Sequence, residues 1–127
     1  MWFNAVFDSY VTKLQKIELI AGDSGIVLEF QVFYEDGEPL DLQDDSAKWY
    51  LAPIGMKHSP ILEKDCTILR DGNANTGYLY YRFTVSLEKD ETKNLYGKYV
   101  HQPVIIDRKG RVFRRAEGFI NFKPQIK

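Results

Sequence analysis

Cys66, His58 and His101 are the residues of this sequence with the chemistry of a thiol nucleophile and a base. A thiol within hydrogen-bond reach of an imidazole is an activated nucleophile, so Cys66 with either histidine is the covalent mechanism to weigh. Against it, Cys66 stands between Ile61-Leu62-Glu63-Lys64 and Thr67-Ile68-Leu69, two strand-forming runs in which a free thiol behaves as a small buried hydrophobe. His58 lies in a loop bounded by Pro and Gly, residues 53–60, with no second His or Cys nearby at ligand spacing. A serine mechanism needs its nucleophile on a strained turn, and no Gly-x-Ser-x-Gly occurs. No glycine-rich loop opens a helix to cradle phosphate. The adjacent acids of Gln43-Asp44-Asp45-Ser46 lack the alternating oxygen ligands of a calcium loop, and carboxylate pairs for glycoside hydrolysis cannot be located from spacing. The residues point away from an enzyme: no catalytic group, no metal and no cofactor are expected.

Contact chemistry is better represented. Aromatic residues make up 14% of the chain, with 8 Tyr and 8 Phe, and aromatics favour both strands and contact surfaces. Residues 1–13 contain Trp2, Phe3, Phe7 and Tyr10 and are too apolar for a disordered tail. Two readings stay open for them: an edge strand or arm on the same domain, or an arm that docks on another subunit. Phe33, Tyr78 and Tyr80 fall at outward positions of strands and join those four as candidate protein contacts. Exposed Tyr or Trp rings would equally suit a carbohydrate-binding sandwich that recognises a host cell-surface glycan. A net charge of −1 argues against nucleic acid as partner. The basic run Arg108-Lys109-Gly110-Arg111, with Arg114-Arg115, reads as a solvated hairpin before an anion site. No apolar run approaches the roughly 20 residues of a membrane span, and no secretion signal is visible. The single cysteine makes no intrachain disulfide and fits a reducing cytosol.

The elements that must position these groups are strands. At 127 residues the chain is one domain, read as the arm over 1–13 and a sandwich over 14–127. In the stretch from Gly22 to Leu42, Leu28, Phe30 and Val32 alternate with Glu29 and Gln31, the period of a half-buried strand. Asp36-Gly37 then turns the chain. Ala47, Trp49 and Leu51 form the inward side of a further strand, with Trp49 expected opposite the first. Residues 70–77 read as a polar turn, and residues 78–85 as a strand with Leu79, Tyr81 and Phe83 inward. Ser86 is the expected cap of a short helical turn over 87–94. Pro103 suggests an edge or a bulge, and Gly118 a bulge or a close approach of backbone. About seven short strands with almost no helix is the pattern of an all-β, antiparallel, immunoglobulin-like two-sheet sandwich, with a small barrel as the alternative.

Gly37-Glu38-Pro39-Leu40-Asp41-Leu42 followed by Ala47-Lys48-Trp49-Tyr50-Leu51-Ala52-Pro53 resembles the core of a known family. So do Gly77-Tyr78-Leu79-Tyr80-Tyr81-Arg82-Phe83-Thr84, Gly97-Lys98-Tyr99, Ile105-Ile106-Asp107 and Gly110. It is the immunoglobulin-like N-terminal domain of the phage baseplate upper protein, and the likeness runs from about Ile17 to Ile120. The resemblance implies a virion structural protein of a tailed bacteriophage, placed in the tail and present in the host cytoplasm during assembly. Its expected partners are other tail or baseplate proteins and, as a homo-oligomer, copies of itself. In the family a later part of the chain carries the receptor-binding protein. This sequence stops at Lys127 without one, so a free-standing adaptor and a shortened chain both stay open.

Overall fold

The computed structural model describes residues 2–6, 12–33, 45–72, 79–114 and 116–125, of which 2–6, 12, 32–33, 70–72 and 79–81 are described as backbone. Among them the chain forms, in order, β1 (Trp2–Val6), β2 (Thr12–Lys13), β3 (Ile17–Ile20), β4 (Ile26–Phe33), β5 (Ser46–Pro53) and β6 (Leu62–Asp65). There follow β7 (Thr67–Gly72), β8 (Leu79–Leu87), the one-turn helix α1 (Lys89–Thr92), β9 (Gly97–Ile106), β10 (Val112–Phe113) and β11 (Ala116–Lys123). Sheet one has the order β1-β4-β8-β7. Sheet two has the order β2-β11-β9-β5-β6, with β3 also on β11 and β10 on β9. This is an all-β two-sheet sandwich, and its division of β4 and β8 from β5, β9 and β11 is that of immunoglobulin-type domains. The sheets are open and mixed, not purely antiparallel: β1 runs parallel to β4, and β2 and β3 run parallel to β11.

Period-two patterning builds the core between the sheets. Sheet one contributes Leu28, Phe30, Phe83, Val85 and Leu87; sheet two contributes Ile17, Ala47, Trp49, Leu51, Ile105, Ile120 and Phe122. Phe30 and Phe83 are register partners in β4 and β8, and their rings stack at 5.1 Å, a contact worth about 0.5–1.5 kcal/mol beyond its buried area. Glu29 and Gln31 lie on the other face as the alternation requires, and Glu29 pairs there with Arg82. The chain changes sheets at Cys66, whose amide donates to the Ala47 carbonyl at 2.8 Å.

Three local expectations change. Pro103 is not at an edge: it lies in β9, the central strand of sheet two. The ladder to β5 runs through it unbroken, pairing it with Trp49. On the other side, pairing stops at His101–Gly118 and resumes at Ile105–Phe113. On that side the ladder is interrupted over 102–104, so a missing amide at Pro103 disturbs no bond there. Arg70-Asp71-Gly72 extends β7 instead of turning, pairing with Tyr81, Tyr80 and Leu79. The rest of that tip, 73–78, and the Asp36-Gly37 turn lie outside the described residues. Ser86 stays in β8 opposite Val27, and α1 is entered through Glu88, whose amide donates to the Glu91 carboxylate at 2.8 Å. Thr92 is buried, and its hydroxyl accepts from the Gly22 amide at 2.9 Å, tying α1 to the turn before β4.

Candidate functional site

The polar group nearest the centre of the sandwich is His101 on β9, fully buried among Trp49, Phe30 and Gly118. Trp49 Nε1–H donates to His101 Nδ1 at 3.0 Å. Nδ1 is therefore an acceptor, and a neutral imidazole then carries its proton on Nε2. Burial drives the imidazole pKa down to about 3. Gly118 is opposite His101 in the ladder, and a Cβ there would lie 2.9 Å from His101 Nε2 and 2.8 Å from Leu14 Cβ. The close approach expected at Gly118 is real, and Leu14 and the imidazole together are its cause. This histidine links two neighbouring strands of sheet two on its core face; enclosed, neutral and with Nδ1 engaged, it has no lone pair turned to solvent for general base work.

Cys66 is half-buried where the sheets change, and burial pushes its thiol up to about 12, with Asp65 adding to the shift. A thiol held so far above neutral pH supplies almost no thiolate, the reactive form. His58 is exposed in the loop joining β5 to β6. Among the described residues no three His, Cys, Asp or Glu side chains gather to hold a metal ion, and no helix is long and apolar enough to cross a membrane. The basic hairpin is organised by Asp107. Desolvation opposes its charge, but amides of Arg111 and Lys109 and the Arg111 guanidinium hold its carboxyl below the usual value. Gly110, at φ 83°, supplies the turn, and the Arg111 guanidinium also lies 5.8 Å from the Phe113 ring centre.

The outer face of sheet two is less polar than an exposed face should be. Ala52, Val100 and Val104 point outward yet are buried. Tyr50, Ala52, Lys57, Val100, Gln102 and Glu117 line a hollow of about 40 Å³, room for one or two waters. Lys57 reaches from the β5–β6 loop to Glu117 on β11 at 2.8 Å and closes one side. The register of Pro53 with Tyr99 brings that loop to the end of the sandwich where β9 begins. Exposed apolar groups collect there: Ile54, Met56 and Ile61 in the loop, and Tyr96, 75% exposed, just before β9. Phe119 stands exposed on the adjoining outer face of β11. By contrast, β6 at the edge of sheet two is guarded by Lys64, a register partner of Trp49, whose ammonium reaches the Ser86 carbonyl and, at 2.6 Å, Glu91 of α1. An inward charge at an edge disfavours further strand pairing.

Of the seven contact residues expected from sequence, Phe7, Tyr10 and Tyr78 lie outside the described residues. Trp2 and Phe3 occupy β1 beside Glu29 and Phe30, Phe33 is the last residue of β4 opposite Val6, and Tyr80 pairs with Asp71; the positions of their side chains are outside the description. Trp2, Phe3 and Phe33 thus share one pair of strands, while Tyr80 lies on β8, beyond β4. Tyr96, Phe119, Ile54 and Met56 were not expected. Tyr96 directly precedes Gly97, which opens β9 at φ 87°, and a large ring beside a strand-opening glycine is the signal that could have marked it. No model of a known protein family matches the chain, and no curated protein matches it.

Proposed function

We propose that this chain is a non-enzymatic structural protein of a tailed-bacteriophage virion, an adaptor of the tail baseplate or adsorption apparatus that works through protein–protein contacts. The observation that carries this reading is the series of family landmarks in the sequence. Its support is that the landmarks within the described residues fall on elements of the sandwich: Ala47 to Pro53 lie in β5, Gly97 opens β9, Ile105 and Ile106 end it just before Asp107, and Gly110 makes the following turn. The interior supports a scaffold in a second way, since His101 and Cys66 are both held in their uncharged forms at neutral pH. Exposed Tyr96, Met56, Ile54 and Phe119 supply apolar contact area. The partners are further copies of the chain and neighbouring tail proteins, and the place of action is the virion tail, reached by assembly in the host cytoplasm.

The alternative, a carbohydrate-binding sandwich, asks for exposed Tyr or Trp rings; Trp49 is buried with its N–H committed to His101, while Tyr96 is exposed. Co-expression with the tail proteins encoded beside its gene, followed by affinity capture of the tagged chain, tests the proposal. Stoichiometric capture of a tail protein, reduced by Tyr96→Ser or Phe119→Ser without loss of folding, is expected. Neighbouring genes unrelated to tails, or binding to purified cell-wall glycan with no tail protein captured, would overturn it.

A further inference from the structure

Two features of sheet two have complementary charge and lie too far apart to meet within one chain. The first is the tip of the β9–β10 hairpin. Asp107 shapes it by accepting from the Lys109 and Arg111 amides at 2.9 and 2.8 Å and from Arg111 Nε at 2.6 Å, so Arg111 is committed to the turn itself. Arg108 and Lys109 stand exposed at the tip, and no ion pair within the described residues engages them. Val112, 43% exposed, adds an apolar shoulder beside them.

The second is the hollow on the outer face. One row across it, Tyr50 and Gln102, ends at the half-buried Glu117. The next row, Ala52 and Val100, leads to the exposed Phe119. The cations beside Glu117 are Lys57, at 2.8 Å, and its register partner Lys13 on β2, and both are exposed. Exposed ion pairs contribute little because water already screens them. A guanidinium meets a carboxylate through two parallel N–H donors, where an ammonium acts as a point charge. An arginine can therefore take Glu117 from Lys57, and Tyr50 lines the hollow with a ring on which a guanidinium stacks.

The hairpin does not reach the hollow of its own chain. Gln102 lies four residues before Ile106, about 13 Å along β9, and the hairpin returns to the sheet opposite Ile106 and Ile105. The cation that fits Glu117 must come from another molecule, and a second copy brings it on a preformed turn.

We propose that the β9–β10 hairpin of one copy docks on the outer-face hollow of the next, Arg108 replacing Lys57 on Glu117 and Val112 meeting the apolar groups around it. The contact joins unlike surfaces and so runs head to tail, each copy holding one neighbour by its hairpin and another by its hollow. It rests on the assembly reading above and deepens it by naming the surfaces through which copies meet.

Charge reversal gives the test, read as molar mass by light scattering across a concentration series. Glu117→Arg chains alone, and Arg108→Glu/Lys109→Glu chains alone, should each associate at least tenfold more weakly than the wild type, with unchanged unfolding midpoints. Mixed in equal amounts they should recover association, because intact hairpin meets intact hollow and reversed hairpin meets reversed hollow. Lys57→Ala, which frees Glu117, should associate more tightly than the wild type. Reversals that leave association unchanged, a mixture no stronger than its parts, or a Lys57→Ala chain that associates less, overturn the contact. If the wild type oligomerises all the same, the assembly reading stands without it. A wild type of one chain at every concentration also overturns the contact, and capture of a tail protein still decides the assembly reading.

Discussion

On its inner face, sheet two sets Trp49, His101 and Gly118 on three adjacent strands so closely that one added carbon at Gly118 would sit 2.8 Å from Leu14 Cβ. On its outer face, the same strands carry Tyr50, Gln102 and Glu117 around a hollow closed by one exposed lysine. The inner face is specified atom by atom, and its polar group is placed to hold strands together. The outer face and the β9-opening end are where apolar groups remain uncovered. Changes inside should therefore act on stability, and changes outside on association.

The largest effect expected inside is acid sensitivity. His101 titrates near 6.5 when unfolded and near 3 when folded. Above pH 6.5 both states are neutral and the group contributes no pH dependence. Below it the unfolded chain takes up a proton that the folded chain refuses, so stability falls as pH drops from about 6.5 toward 3. The full shift corresponds to about 4–5 kcal/mol. Denaturant unfolding at pH 7 and at pH 4.5 in the wild type and in His101→Gln should show a fall that the variant lacks; equal falls would place the sensitivity elsewhere. Next comes Trp49→Phe, which removes the N–H that His101 Nδ1 accepts and leaves a void, at about 2–4 kcal/mol. A loss below 1 kcal/mol in chemical denaturation would mean the pair is not a structural link. Gly118→Ala should cost about 1–3 kcal/mol through crowding, with Gly118→Val worse; an unchanged melting temperature would contradict the close approach. The smallest effect belongs outside: Lys57→Ala breaks an exposed ion pair and should change stability by less than about 1 kcal/mol.

Much of this fold was legible in the sequence because period-two alternation reports burial directly, as at Leu28, Phe30, Trp49 and Phe83. His101 was not. In Tyr99 to Ile106 both faces of β9 carry apolar residues, Val100 and Val104 outward and Ile105 inward, so alternation gives no phase, and Pro103 suggested a break that lies on one side of β9 alone. The expected packing of Phe30 toward Trp49 omitted the imidazole that touches both, 6.1 Å from one ring and 6.0 Å from the other. The contact surface was least legible. Aromatic content favours strands and contact surfaces alike, but which rings stay uncovered depends on strand order and register. Tyr96 and Phe119 became candidates only once Pro53 was paired with Tyr99 and Phe119 with Val100.

The central claim is that this domain acts through its surfaces, with its interior reserved for holding the sandwich together. Light scattering of the wild type over a wide concentration series tests it most directly. The account predicts a molar mass that rises to a small multiple of the 14.8 kDa chain, lowered toward one chain by Tyr96→Ser or Phe119→Ser with no change in unfolding midpoint. A mass of 14.8 kDa at every concentration, unaltered by those substitutions, would contradict it.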